Sequence, residues 1–428
     1  MQTLLNISIA LIAGLLMSRP AKLLKLPAVT GYLVAGIIIG PFCLGRLGID
    51  TIAFTSIGSV TQLSIISNAA LGFIAFAIGN EFRLSQLKTT GKQATVVGII
   101  QALAATVAVD IALCAIVFFT HGSKLTYASA LTLGAIAAAT APAATLMVVK
   151  QYKAKGPLTD ILLPIVALDD AVGLIIFAVS FGIAKALIHG SIDIISVVVE
   201  PFVEIIASLL LGALIGALFT FVERFFHSGS KRTAMSIAFV FMTVSISQTT
   251  FKIGAVTVGF STLLTCMMLG TVFCNLCGFS EELMDRTDKW TSPLFILFFV
   301  LSGAELDLTV FSDITIIVIG VVYIISRSAG KYFGAGASCR LVRCEPNITK
   351  YLGITLLPQA GVALGMSVTA LELGEQGYIV RNIVLFGVLI YELVGPLLTK
   401  IALTKAGEIK PEGRTNQREI HKQKKQTA

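Results

Sequence analysis

Two adjacent carboxylates, Asp169 and Asp170, stand in the middle of an apolar stretch that runs from Leu162 to Phe177. The composition of this stretch is typical of a membrane-spanning helix. One carboxylate at the centre of such a helix costs roughly 2.5–3.5 kcal/mol on insertion scales, so a pair is expected to serve a function rather than packing. Carboxylate oxygens take up protons and also bind hard cations. The pair therefore predicts a site where a proton and a cation replace each other.

The overall composition indicates what kind of protein positions this pair. Of the 428 residues, 55% are hydrophobic and 13% are charged, and the mean hydropathy is +0.88. A soluble domain carries about 25% charged residues. We therefore predict an all-α polytopic membrane protein, because helices satisfy their own backbone groups in lipid. The sequence contains no nucleophile–base set and no cluster of metal ligands, so neither an enzyme nor a cofactor is expected.

Thirteen apolar segments are candidates for membrane spans. Their approximate limits are 2–17, 28–45, 57–79, 93–119, 125–149, 157–188, 196–223, 233–251, 254–279, 290–305, 313–338, 350–371 and 378–404. Lys and Arg number 17 in the connections that follow odd-numbered segments and 4 in those that follow even-numbered ones. The basic side is cytoplasmic by the positive-inside bias. We predict a protein of the cell membrane with its N-terminus outside and a basic cytoplasmic tail at 405–428 that faces anionic lipid and binds no nucleic acid.

A weak internal repeat suggests two inverted halves. The apolar run at 75–84 resembles the run at 298–308, since both end in Gly, any residue and Glu, and these motifs lie 224 positions apart. Pro142 and Pro358 interrupt two further segments and lie 216 positions apart. An odd number of predicted spans separates the members of each pair, so the copies have opposite orientations. Inverted repeats with matching broken helices are typical of secondary transporters that bind substrate at the membrane midplane.

The two proline interruptions add oxygen ligands to the candidate site. A proline within a helix removes one backbone donor and leaves a carbonyl one turn earlier without its partner. In lipid such a carbonyl needs a partner, and a cation or a water in a cavity provides one. Thr140 adds a hydroxyl. We predict that Asp169, Asp170 and Thr140 bind the ion, Na+ or K+, and that Ala141, Pro142, Pro358 and Gln359 form the breaks.

Two basic residues of one helix are candidate partners for the acids. Neighbouring helix residues differ in direction by about 100°, so one aspartate faces a cavity and the other a partner helix. Arg327 is the first candidate partner, with a purely structural ion pair as its alternative role. Lys331 lies one turn further on the same face and is the second candidate. Snorkelling toward the cytoplasmic interface is the alternative for Lys331.

Several motifs in their order and spacing resemble the monovalent cation:proton antiporter-2 family. They are the context of Asp169 and Asp170, the interruptions at Thr140–Pro142 and Pro358–Gly361, and the Arg327–Lys331 helix. The resemblance extends over about residues 5–404. It implies an inverted-repeat antiporter fold with two crossed broken helices. It also implies a homodimer, a moving core at about 93–188 and 313–404, and a dimerisation scaffold at about 1–92 and 196–305.

The resemblance also implies residue roles, with Asp170 carrying the ion and the proton and Asp169 pairing with a basic residue of the Arg327 helix. Relatives with paired aspartates commonly have Lys where Arg327 aligns, which leaves the stoichiometry open. We expect a transporter for pH homeostasis that exchanges Na+ or K+ for protons by alternating access. The alternative is a sodium-coupled organic-anion symporter on a similar scaffold. The choice between Na+ and K+ stays open at this point.

Overall fold

The computed structural model describes residues 2–24, 26–47, 53–80, 82, 84–121, 125–189, 199–253, 256–306 and 313–409. Most of the predicted basic tail, 410–428, and Glu81 and Asp307 of the repeat motifs lie outside these residues. The α-helices of the described part are α1 (Gln2–Leu23), α2 (Ala28–Ile39), α3 (Ile57–Thr61), α4 (Ser64–Asn80), α5 (Leu84–Thr120), α6 (Tyr127–Ala137), α7 (Pro142–Tyr152), α8 (Pro157–His189), α9 (Glu200–Glu223), α10 (Gly229–Ser247), α11 (Thr262–Leu276), α12 (Ser280–Glu305), α13 (Ile314–Leu341), α14 (Pro346–Thr355), α15 (Gly361–Thr369) and α16 (Glu375–Lys405).

Each of the thirteen predicted apolar segments contains one helix or a pair of consecutive helices. In the described residues, eight helical stretches are long and apolar enough to cross a membrane. Three shorter apolar stretches, Ser64–Asn80, Thr262–Leu276 and Gly361–Leu373, add to them. The chain is therefore a multi-pass membrane protein that is nearly all helical. The number of thirteen spans stays a prediction.

A short β-hairpin lies between α10 and α11. The strands β1 (Phe251–Ile253) and β2 (Val256–Val258) pair antiparallel, with Lys252 opposite Thr257. Our prediction placed Phe251 at the end of the eighth segment and Val256–Val258 near the start of the ninth, so helix was expected there. β-branched residues favour extended structure, and Ile253, Val256 and Val258 follow one another closely here. Helix resumes only at α11, where the Ser261 hydroxyl accepts a hydrogen bond from the amide of Leu264.

Two helix breaks lie where the prolines predicted them. The first separates α6 from α7, which begins at Pro142, a position where a missing backbone donor costs nothing. The second separates α14 from α15 and contains Pro358. The amide of Ala141 donates to the carbonyl of Pro358 over 2.8 Å, so the two breaks touch at one depth. The prediction of two crossed broken helices is confirmed.

The helices pack in two groups around this crossing. One group consists of α5, α6, α8, α13, α14 and α16; the other consists of α1, α2, α4, α9, α10, α11 and α12. Small residues allow close approach in the second group, because a Cβ at Gly36 of α2 would collide with the Val300 carbonyl of α12. The assignment of these groups to a moving core and a dimerisation scaffold stays a prediction.

Candidate ion-binding site

The paired carboxylates lie on α8 beside the crossing of the two breaks. Both are buried, with 0% of Asp169 and 1% of Asp170 exposed. Helix α8 reaches this depth in one piece, although Pro164 lies inside it. The adjacent side chains point in different directions, as predicted from helix geometry. Their surroundings consequently differ in kind.

Asp169 accepts hydrogen bonds from side chains of two helices and of the first break. Its Oδ2 accepts from the hydroxyl of Thr140 over 2.5 Å and from Lys331 Nζ over 3.0 Å. Its Oδ1 accepts from the side-chain amide of Gln101 on α5. Sequence reasoning missed Gln101, whose only signal is an amide in the middle of an apolar segment. A buried charge needs such partners, so Asp169 is a structurally satisfied carboxylate.

Lys331 commits its three donors within the site. Its Nζ donates to Asp169, to the Thr140 hydroxyl over 2.9 Å and to the Ala138 carbonyl over 2.6 Å. An ammonium group has three donors, so this one is saturated. The side chain is completely buried, which rules out the snorkelling alternative. Lys331, our second candidate, is therefore the direct partner of Asp169.

Arg327 has a different role from the one we preferred. Its guanidinium donates to three backbone carbonyls: Ala137 over 3.0 Å, Ala139 over 2.6 Å and Leu357 over 2.7 Å. It also lies over the ring of Tyr391, 4.5 Å from the centroid. The preference for Arg327 as partner of Asp169 was wrong, because one helical turn decides which base reaches the acid. The planar fork of Arg suits several carbonyls at once, and here it joins the two breaks.

Gln359 also ties the breaks together. Its Nε2 donates to the Ile136 carbonyl of α6 over 3.0 Å and to the Tyr323 hydroxyl over 2.9 Å. Tyr323 is buried and was missed by sequence reasoning, although it lies one turn before Arg327 on α13. Pro142, Ala141 and Pro358 shape the breaks as predicted. Backbone carbonyls at the breaks thus accept hydrogen bonds from Arg327, Lys331 and Gln359, and the Ala138 carbonyl that Pro142 releases is bound by Lys331.

The surroundings of Asp170 differ from those of Asp169. Neither of its carboxylate oxygens has a hydrogen-bond partner among the described residues. The charges that act on it are those of Asp169, which repels it, and Lys331, which attracts it. A carboxylate that is this buried requires a proton or a cation, because desolvation penalises the bare anion. The site therefore contains a hydrogen-bonded pair, Asp169–Lys331, beside a carboxylate that has no hydrogen-bond partner among the described residues.

Crossed broken helices in a polytopic helical protein, with a carboxylate pair beside them, define the inverted-repeat class of secondary transporters. The particular family follows from the sequence. A model of the sodium/hydrogen exchanger transmembrane family matches residues 7–405. The chain belongs to this family, and the resemblance found from its motifs is confirmed at that level.

Individual relatives agree with this assignment. The Na(+)/H(+) antiporter NhaS4 of Synechocystis is 22% identical over 404 residues, which cover 92% of this chain and 95% of that protein. Cation/H(+) antiporter 19 of Arabidopsis thaliana is 33% identical over 98 residues, covering 22% of this chain and 12% of the relative. None of these matches supports the organic-anion symporter alternative.

Solved structures share the fold. The sodium proton antiporter MjNhaP1 of Methanocaldococcus jannaschii at pH 8 superposes with a TM-score of 0.68 at 18% identity, over 96% of this chain and 99% of that one. An electron-microscopy structure of the same antiporter gives a TM-score of 0.69 at 19% identity, over 95% and 98% of the two chains. At this identity the similarity establishes the architecture.

Proposed function

We propose that this protein exchanges a monovalent cation, Na+ or K+, for protons across the membrane by alternating access. The observation that carries the proposal is Asp170, a buried carboxylate without a hydrogen-bond partner among the described residues. A group of this kind binds one positive charge at a time, either a proton or a cation. Membership of the sodium/hydrogen exchanger family supports the same reaction.

Asp169 and Lys331 set the electrostatics of the exchange. With its charge paired, Asp169 repels a second anion next to it less strongly than a bare carboxylate would, and Lys331 lies close enough to act on Asp170 too. An arriving cation competes with the ammonium for the carboxylates. We propose that the Asp169–Lys331 pair loosens when the cation binds, and that Thr140 and carbonyls of the breaks then contribute oxygens to it. Lys331 takes the part that the sequence analysis gave to Arg327.

The two packing groups supply the moving parts of the proposed exchange. The group that holds Asp170 contains α5, α6, α8, α13, α14 and α16. We propose that this group is the moving core, and that the group around α12 forms the scaffold and the interface of a homodimer. The proposed location is the cell membrane, with the N-terminus outside and the C-terminus in the cytoplasm, as the distribution of Lys and Arg favours.

Purified protein in liposomes with an imposed pH gradient tests the exchange. Addition of Na+, K+ or Li+ should collapse the gradient in the wild type, and the responding ion names the substrate. Asp170→Asn should abolish the collapse while the protein elutes as the same folded species. Asp160→Asn is the matched control, since Asp160 lies on the same helix with an exposed side chain. Exchange that persists in Asp170→Asn would remove Asp170 from the mechanism.

A further inference from the structure

A second carboxylate inside the membrane region has no place in the site described above. Glu392 lies in α16, 3% exposed, and its Oε2 has no hydrogen-bond partner in the part of the chain that the structure describes. A buried anion without a partner costs several kcal/mol, on the order of the desolvation penalty of one ion. Packing alone would be served by Leu or Met at this position. Glu392 therefore needs a chemical explanation.

The backbone at Glu392 offers a second oxygen. Pro396 lies inside α16, four residues further on. Because proline has no backbone N–H, the carbonyl of Glu392 loses its usual donor in the helix. The Thr399 hydroxyl is buried two turns along the same face, and its Oγ1 also has no partner among the described residues. Carboxylate, carbonyl and hydroxyl oxygens are the ligands that hard cations prefer.

This stretch of α16 packs directly on the crossing. A Cβ at Gly395 would lie 3.0–3.2 Å from atoms of Pro358, so α16 touches the second break one turn after Glu392. The preceding residue, Tyr391, donates from its hydroxyl to the Ile324 carbonyl over 2.8 Å and lies against Arg327. Glu392 is therefore held at the edge of the ion-binding site.

Glu392 also lies where the two helix groups meet. Helix α16 packs against α2 of the other group. Glu305, half-buried at the end of α12, is close enough to Glu392 for their like charges to repel. The next residue, Leu306, packs among side chains of α6, α13 and α16. Two acids of opposite groups thus face one boundary, and a cation between them would remove their repulsion.

We infer that Glu392 is a second carboxylate that binds the transported cation at the boundary between the two helix groups, with the Thr399 hydroxyl as a further oxygen two turns along the same helix face. The inference rests on the proposed cation–proton exchange and extends it with a site outside the aspartate pair. The ligand is a partly dehydrated monovalent cation, and protons compete for the same oxygen. Glu392 then holds the ion before or after Asp170 does.

The test uses full-length Asp170→Asn protein in lipid nanodiscs, where the main site is disabled. Replacing choline by Na+, K+ or Li+ at constant ionic strength should still raise the midpoint of thermal unfolding. Asp170→Asn/Glu392→Gln should lose this rise, and Asp170→Asn/Glu204→Gln should keep it, since Glu204 is a partly buried glutamate of α9. An equal rise in both double variants, or none in Asp170→Asn itself, would overturn the inference.

Exchange in liposomes gives an independent readout in protein that retains Asp170. Glu392→Gln should raise the cation concentration for half-maximal exchange about tenfold, as expected for one lost bond to a charged group. Thr399→Val preserves the shape of the side chain and should also raise the cation concentration for half-maximal exchange. This variant serves as the test if Glu392→Gln fails to fold. Unchanged cation dependence in Thr399→Val and Glu392→Gln would contradict the inference. Absence of exchange in the wild type would instead refute the proposed function, whereas the nanodisc measurement would still report on Glu392.

Discussion

Lys331 Nζ lies 3.0 Å from Asp169 Oδ2, and neither side chain is exposed to any extent. The pair joins α13 to α8 beside the crossing of the two helix breaks. All three donors of Lys331 have acceptors there, so Asp170 receives no hydrogen bond from it. The two adjacent aspartates of one helix therefore have different surroundings. Asp169 is held in a salt bridge, and Asp170, which we propose carries the transported charge, has no hydrogen-bond partner among the described residues.

Removal of one charged member of this pair should lower the folding stability much more than removal of both. Lys331→Met leaves Asp169 as a buried anion without its cation, which costs about 3–5 kcal/mol. Asp169→Asn/Lys331→Met should recover most of that loss because no charge is left unpaired. Thermal unfolding of Lys331→Met, Asp169→Asn and the double variant in detergent measures the energetic coupling between the two residues. Additive shifts would mean that the two charges do not depend on each other.

Arg327→Lys should destabilise the crossing although the charge is kept. An ammonium group cannot reproduce the planar fork that reaches the carbonyls of Ala137, Ala139 and Leu357. Loss of one or two bonds from a charged donor should cost about 2–4 kcal/mol of folding stability. The melting temperature should fall, and cation–proton exchange should fall with it. Arg340→Lys, at the exposed end of the same helix, is the control and should melt like the wild type.

Glu408 should stabilise the helix that carries the aspartates. Its carboxylate accepts from the amides of Leu158 and Thr159 at the first turn of α8, over 2.5 and 2.8 Å, and from the Thr159 hydroxyl over 2.6 Å. Anionic groups are favourable at a helix N-terminus. Glu408→Ala leaves buried amides without acceptors and should cost about 2 kcal/mol. Proteolysis or hydrogen exchange should show earlier opening at 157–165, while Glu372→Ala, at an exposed ion pair, should not.

Two natural cysteines report on the orientation. Cys43 is exposed after α2, and Cys344 is partly exposed after α13. The charge distribution predicts that Cys43 lies outside and Cys344 in the cytoplasm. In intact cells, a membrane-impermeant maleimide should label a variant that retains only Cys43. A variant that retains only Cys344 should react only after permeabilisation. The reverse pattern would invert the predicted topology.

Local patterns in the sequence determined much of this protein. Hydropathy over windows of about 20 residues identified the apolar segments, and the prolines at 142 and 358 located both breaks. These features depend on residues that are neighbours along the chain. The cost of burying Asp169 and Asp170 likewise follows from their own segment, so they could be identified as a candidate site without any knowledge of their surroundings.

Only the tertiary structure decided which side chains meet. Arg327 and Lys331 are four residues apart, about 6 Å along the helix axis, and which of them reaches Asp169 depends on how α13 packs against α8. The same holds for Gln101, Tyr323 and Glu392, whose partners, or lack of them, depend on helices far away in the sequence. Hydropathy sets which face of a helix is buried. The rotation and height of one helix against another follow from the packing of all of them together.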